Sequence, residues 1–350
     1  MADPDHDTIS LLFTDTLATE FSTARDFMHS TDWVRQQFNV SAKAGQGKFG
    51  KTFLPENVFI EPASETIGGE LKEDTGGQKA LAFRVGCQLT EAGTVTAAEI
   101  DTSRRDMFWG SYRVVMRLSS VHGTCAAFFW YLNDTQEIDM EFLSREFDQA
   151  REIFPVNLVI HSRSTMRDGY DASKSGTLQK VNLTFDPTSG FHEYRFDYLA
   201  GRVFFFADGQ PLGEMNGNDV PSNGGHLILQ HWSNGNSLWS GGPPSLDAVA
   251  LVRSVRAYFN SSDPTQIAER NKACADYNWK ESTCEISNVT QANSIPKDKP
   301  SHDNGNGRDN QTVARDDSQG SHEARSPSAK LTYQVVTSVM VLRWLTPGWA

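Results

Sequence analysis

Positive charge is in short supply. The 350 residues carry 32 Lys and Arg against 44 Asp and Glu, a net charge of −12. Phosphate backbones are gripped by basic patches, so the balance argues against nucleic acid as a partner. Cysteine is scarce as well: Cys87, Cys125, Cys274 and Cys284 are all there is. None belongs to a Cys-x-x-Cys pair, which removes the usual spacing of a zinc site. Cys274 and Cys284 are close in sequence and outside the main domain, and are expected to form a disulfide. Cys87 and Cys125 read equally well as buried thiols. No apolar h-region follows the acidic start Met1-Ala2-Asp3-Pro4-Asp5-His6-Asp7, so no signal peptide is visible. Either export takes another route or this start is not the natural one. The stretch from Gly45 through Gly50 and Lys51 to Phe53 is rich in glycine. It lacks the spacing and the Gly-Lys-Ser/Thr ending of a phosphate loop, and is read as a turn.

Long hydrophobic runs are missing too. Leu331 to Leu345 is apolar but broken by Arg343, and falls short of the roughly 20 residues a spanning helix needs. Three readings stay open: a truncated membrane anchor, a lipid-anchor signal behind a polar spacer, or a tail without function. What the chain does have is aromatic side chains, with 8 Trp and 21 Phe. They suit a large β-rich core and also a sugar-stacking cleft. Six Asn-x-Ser/Thr sequons stand at Asn39, Asn133, Asn182, Asn260, Asn288 and Asn310. With the expected disulfide they lean toward a secreted eukaryotic protein.

Between residues 80 and 260 the hydrophobic period is two. Gly110 to Leu118, His192 to Tyr198 and Gly201 to Gln210 alternate, and Cys125 to Leu132 is a continuous apolar run. Many short strands divided by turn residues, with no convincing long helix, predict an all-β sandwich or jelly roll. The expected organisation is an N-terminal segment and edge strand (1–30), a main domain (31–262) and a Cys-containing extension with a short helix (263–290). A disordered polar linker (291–329) and the apolar tail (330–350) follow.

The chain is organised around Gln136-Glu137-Ile138-Asp139-Met140-Glu141-Phe142-Leu143. Successive side chains of a strand point to opposite faces. Glu137, Asp139 and Glu141 therefore share one face, while Ile138, Met140 and Phe142 enter a core. Like charges so crowded raise each other's pKa values, which is costly as architecture and useful as chemistry. A retaining glycosidase needs an ionised carboxylate as nucleophile and a protonated carboxyl as acid, about 5–5.5 Å apart. Residues four apart on a flat strand are about 13 Å apart at Cα, so the strand is expected in the hollow of a curved sheet. The alternative is an edge strand with a solvated acidic face.

The flanking sequence favours the first reading. Around this motif the chain resembles glycoside hydrolase family 16, in the short Glu-x-Asp-x-Glu form shared by bacterial lichenases, plant xyloglucan endotransglycosylases and fungal chitin–glucan crosslinking enzymes. Phe108-Trp109-Gly110-Ser111-Tyr112-Arg113, Phe128-Phe129-Trp130-Tyr131, His192-Glu193-Tyr194-Arg195-Phe196-Asp197, Phe205-Phe206-Ala207-Asp208-Gly209 and Leu229-Gln230-His231-Trp232-Ser233-Asn234-Gly235 carry it, over roughly residues 30–260. The resemblance implies a concanavalin A-like β-jelly roll with a concave cleft, and retaining double displacement on β-glucan. By position it makes Glu137 the nucleophile, Glu141 the general acid/base and Asp139 the assisting acid. Gln136 stands where many relatives have Asp, with an expected change of charge beside the nucleophile.

Trp232 and Trp239 become candidate sugar platforms. Phe129, Tyr131, Asn157 and Gln230 fall where relatives line the cleft, with packing as the alternative for each. His161 and His231 read as buried, hydrogen-bonded histidines or as sugar contacts, and His231 is the one assigned to the cleft. Some relatives hold a structural calcium through an acid on the last strand. Arg253, Ser254 and Arg256 occupy that neighbourhood here, and no metal or other cofactor is expected. The leading expectation is a monomeric, extracellular or wall-bound endo-1,3(1,4)-β-glucanase acting on β-glucan or a related polysaccharide. The alternatives are a wall-remodelling transglycosylase and a catalytically silent sugar-binding jelly roll.

Overall fold

Period-two sequence becomes strand through most of the chain. The computed structural model describes residues 9–21, 27, 30–62, 64–67, 70–73, 79–273, 283–286 and 331–336. Two large sheets dominate. The first runs, edge to edge, through Leu178–Asn182, Pro155–Ser162, Gln136–Leu143, Cys125–Asn133, His226–Trp232, Thr94–Thr102, Gly50–Phe53 and Phe38–Val40, with Trp33–Arg35 paired along Thr94–Thr102. The second runs through Gln210–Asn216, Arg202–Ala207, His192–Leu199, Met107–Arg117, Ala248–Ser261, Lys79–Val85 and Val58–Pro62, with Asp15–Glu20 on Ala248–Ser261. This is the all-β jelly roll that the alternation predicts.

The inner faces of the two sheets form one core. Phe128, Trp130, Ile138, Met140, Phe142, Leu227 and Leu229 come from the first sheet, and Tyr112, Val114, Tyr194, Phe196 and Phe205 from the second. Phe142 meets Tyr194 edge-on across the gap, centroids 4.7 Å apart. The Trp130 indole donates to the Met107 carbonyl of the facing sheet at 2.8 Å, so its one polar atom is satisfied where it is buried. A one-residue slip of the acidic strand would drive three carboxyls into this core, so the register is strongly specified.

Beyond the sandwich the structure refines the sequence expectation. The stretch after Ser162 holds two short helices, Arg163–Arg167 and Ala172–Ser175. The Ser162 hydroxyl accepts from the Ser164 and Thr165 amides while Thr165 bonds back to the Ser162 amide, a reciprocal cap. Helices this short show no readable period. The extension begins with the helix Pro264–Ala273. Cys87 and Cys125 are free thiols, whereas the expected Cys274–Cys284 disulfide lies outside the described residues, as does the linker. Of the tail, Leu331–Val336 is a strand between Ile9–Phe13 and Thr283–Ile286. No helix among the described residues is long and apolar enough to cross a membrane.

Candidate active site

Alternation puts the side chains opposite the core residues on the outer face of the first sheet, and the ladder aligns them. Tyr131 faces Glu137, Phe129 faces Asp139 and Ala127 faces Glu141. On the next strand His226, Ile228 and Gln230 continue the same rows, and Glu99 stands opposite Gln230. Side chains from six strands of this sheet line one cleft of about 530 Å³. The acidic strand therefore lies in a hollow, as its chemistry requires, and not at a solvated edge.

Burial raises all three acids of the strand. Asp139 is the most enclosed, and burial with the Glu137 and Glu141 charges holds it well above the usual carboxylate range. It therefore keeps a proton, which it shares with Glu137 in a side-chain hydrogen bond. Burial pushes Glu137 up to about 8, and the bond from Asp139 works the other way, favouring the ionised form. Glu141 is raised by burial and restrained by two donors and by Lys51. Trp239 Nε1 donates to Glu141 Oε1 at 3.2 Å, and Cys125 Sγ donates to the same oxygen at 3.4 Å.

Several predicted residues line the cleft: Phe129, Tyr131, Gln230 and Trp232. Trp239 lies outside the lining, packed against the cluster of Phe53, Ala97, Cys125, Leu143 and Trp232 and bonded to the acid. Asn157 faces Glu141 across the ladder but is wholly enclosed and does not reach the cleft. The assignment of His231 to the cleft is corrected. It pairs with Ala98 and Ala126 on the core face, where Nδ1 bonds the Phe83 carbonyl of the other sheet at 2.8 Å and Nε2 the Thr124 hydroxyl at 2.9 Å. Adjacent strand residues cannot share a face, so Gln230 and Trp232 in the cleft exclude His231 from it.

His161, not His231, is the histidine beside the acids. It faces Glu137 across the ladder, and burial lowers its pKa, which keeps the ring neutral. One ligating atom each from Glu137, Asp139 and His161 fall within 4.8 Å of one another. That spacing is one a divalent ion could bridge; a hydrogen bond between Asp139 and Glu137 is the other way to relieve their repulsion. Gln136 points away from the nucleophile. Its oxygen accepts from the Ser222 amide at 3.0 Å and the Asn223 amide group at 3.3 Å. It anchors a loop and does not change the charge beside Glu137 by contact.

Sequence reasoning missed Lys51 and Glu99. The glycine-rich turn gives way to a strand at Gly50, which brings the Lys51 ammonium 4.1 Å from the Trp232 ring centroid. Burial lowers the Lys51 pKa, while Cys125, Glu99, Glu141 and Glu137 pull the other way. Glu99 is raised to about 8 by burial and by Asp101, and it accepts from the Gln230 amide. Its alternation with Ala97 and Asp101 was the signal that could have found it. Removing the Lys51 charge makes its carboxylate neighbours harder to ionise. In Lys51→Met both limbs of the kcat/KM profile should move to higher pH, by about half a unit to one unit. Profiles between pH 4 and 9 that superimpose on the parent's would show that this charge is not felt.

The model of the glycosyl hydrolases family 16 matches residues 70–248, just over half of the chain. A β-glucanase of Paenibacillus polymyxa is 27% identical over 139 residues, 38% of this chain and 52% of that protein. A probable xyloglucan endotransglucosylase/hydrolase protein 27 of Arabidopsis thaliana is 28% identical over 111 residues, 32% of this chain and 30% of that protein. The chain thus spans about half the length of the β-glucanase and less of the plant relative. Among solved structures, a prokaryotic β-1,3-1,4-glucanase (lichenase) from a mouse hindgut metagenome superimposes with a TM-score of 0.51 at 18% identity, covering 71% of this chain and 99% of that one. At that identity the likeness concerns the fold alone.

Proposed function

The chain belongs to the glycosyl hydrolases family 16, and from that premise we propose that it is a retaining endo-β-glucanase acting on 1,3(1,4)-β-glucan. One observation carries the proposal: three carboxyls on alternate positions of one strand, buried along an aromatic cleft, raised by burial and held by hydrogen-bond donors at both ends. Glu137 receives a bond from protonated Asp139, which favours the carboxylate a nucleophile needs. Burial raises Glu141, the direction a general acid needs.

In the first step a Glu137 oxygen forms a bond to the anomeric carbon as the glycosidic C–O bond breaks. The Glu141 proton passes to the departing oxygen. In the second step Glu141, now a carboxylate, takes a proton from water. The resulting hydroxide oxygen displaces Glu137, and two inversions leave the β configuration. Phe129 and Tyr131 offer rings to the apolar face of a pyranose, and Trp232 offers whatever Lys51 leaves uncovered. Exposed sequons at Asn39, Asn133 and Asn182 support an extracellular setting.

A sugar hydroxyl in place of water in the second step would make the protein a transglycosylase. The likeness to a plant endotransglucosylase/hydrolase supports that second reading. A time course on lichenan, laminarin, xyloglucan and chitin oligosaccharides, with products sized by mass spectrometry, separates the possibilities. Shorter products from lichenan or laminarin are expected. Products longer than the starting oligosaccharide would mean transfer, and tight binding of a glucan with no turnover would mean a silent sugar-binding module.

A further inference from the structure

Two donors converge on a single oxygen of Glu141 and come from unrelated parts of the chain. Trp239 reaches in from the loop after the His226–Trp232 strand. Cys125 opens the neighbouring strand, faces Leu143 in the ladder, and so is the diagonal neighbour of Glu141. Cys125 has no exposed surface and packs among Phe53, Ala97, Leu143 and Trp232. An apolar residue would fill that setting as well, so the hydrogen bond is what the thiol adds.

We propose that Cys125 is a positioning residue for the general acid: with the Trp239 N–H it reserves Oε1 of Glu141 as an acceptor and leaves the transferable proton on Oε2. The inference rests on Glu141 being the acid/base. An oxygen that accepts two hydrogen bonds is the carbonyl-like one of a carboxylic acid, so the acid proton resides on its partner. Burial and the adjacent Glu141 hold the thiol far above its ordinary pKa, so it stays S–H, and of its two acceptors Glu141 Oε1 at 3.4 Å is nearer than the Ala126 carbonyl at 3.8 Å. A thiol is a weak donor. It orients the carboxyl without stabilising the carboxylate as strongly as a hydroxyl would, which suits a group that must hold a proton until the bond breaks. The titratable groups around Glu141 are Glu137 and Asp139 on its own strand, Cys125 on the next, and Lys51 and Glu99 across the cleft.

The test compares Cys125→Ala and Cys125→Ser on two substrates of one oligosaccharide: the natural glucan linkage, whose departing alkoxide needs the acid, and a 2,4-dinitrophenyl glycoside, whose phenolate hardly does. Cys125→Ala should lower kcat on the glucan linkage by about tenfold, the loss of one hydrogen bond, and much less on the dinitrophenyl glycoside. Its alkaline limb should move up, because a donor to the carboxylate is gone. Cys125→Ser should recover most of the rate and move that limb below the parent's. Trp239→Phe should repeat the Cys125→Ala pattern from the other side. Equal losses on both leaving groups, or alkaline limbs unmoved in both Cys125 variants, would overturn the inference and leave a packing role. Glu141→Gln runs alongside: its retention of glucan turnover would remove the acid/base reading itself, and this inference with it.

Discussion

Glu137→Gln and Glu141→Gln should each lose glucan hydrolysis with the fold intact, and the two losses should respond differently to azide. Each amide keeps the shape of the carboxyl it replaces, so the strand and its core face are undisturbed. Loss of general acid/base assistance at Glu141 lowers kcat by about a hundred- to ten-thousand-fold. Loss of the nucleophile at Glu137 closes the covalent route altogether. Alanine variants make the roles distinguishable. In Glu141→Ala, azide replaces water against the glycosyl-enzyme and gives a β-glycosyl azide. In Glu137→Ala, azide replaces the carboxylate on the opposite face and gives an α-glycosyl azide. The anomeric configuration, read by NMR, assigns each residue, and two azides of the same configuration would contradict the assignment.

The same substitution should be benign for stability at high pH. Glu137 has its pKa raised to about 8 by burial. A group raised above its unfolded value contributes stability that is present in acid and lost as pH rises through the folded value. Above about pH 8 the parent holds a buried charge that Glu137→Gln does not.

The second large effect concerns folding. His231→Gln should be markedly less stable than the parent at neutral pH, and the gap should narrow in acid. The imidazole bridges the two sheets through the Phe83 carbonyl and the Thr124 hydroxyl. Burial lowers its pKa to about 4, against the opposing pull of the Phe83 carbonyl. The unfolded ring titrates near its ordinary value of about 6.5. Below that pH the unfolded chain binds a proton that the folded chain refuses, so the parent loses stability as pH falls from about 6.5 to about 4. The full loss is about 3 kcal/mol. Glutamine carries no such proton, so the difference between the two proteins isolates the ring from the cleft carboxyls, whose dependence has the opposite sign. Urea unfolding at pH 7 and pH 4.5 measures it, and a difference independent of pH would show that the ring is not held neutral.

The two histidines also mark what the sequence could reveal. The acidic strand was legible because its charge and its apolarity both alternate, which fixes parity without any partner. The jelly roll followed from the same period. His231 was within reach of that logic, since it lies between Gln230 and Trp232, and one strand cannot turn all three to the same face. His161 was not, because its nearness to Glu137 depends on the ladder register between Gln136–Leu143 and Pro155–Ser162. Cys125 opens an apolar run with no alternation to assign its face. Lys51 follows three glycines, and only the pairing of Gly50–Phe53 with Thr94–Thr102 carries it into the cleft.

The central claim is that Glu137 forms a covalent bond to the sugar. It is tested most directly with the 2,4-dinitrophenyl 2-deoxy-2-fluoro glycoside of whichever oligosaccharide the time course finds cleaved. The fluorine slows both steps, the good leaving group restores the first, and the glycosyl-enzyme accumulates. Intact-protein and peptide mass spectrometry should find one added glycosyl unit per chain, on the peptide holding Glu137 and lost in Glu137→Gln. An adduct on any other residue, or inactivation with no adduct, would contradict it.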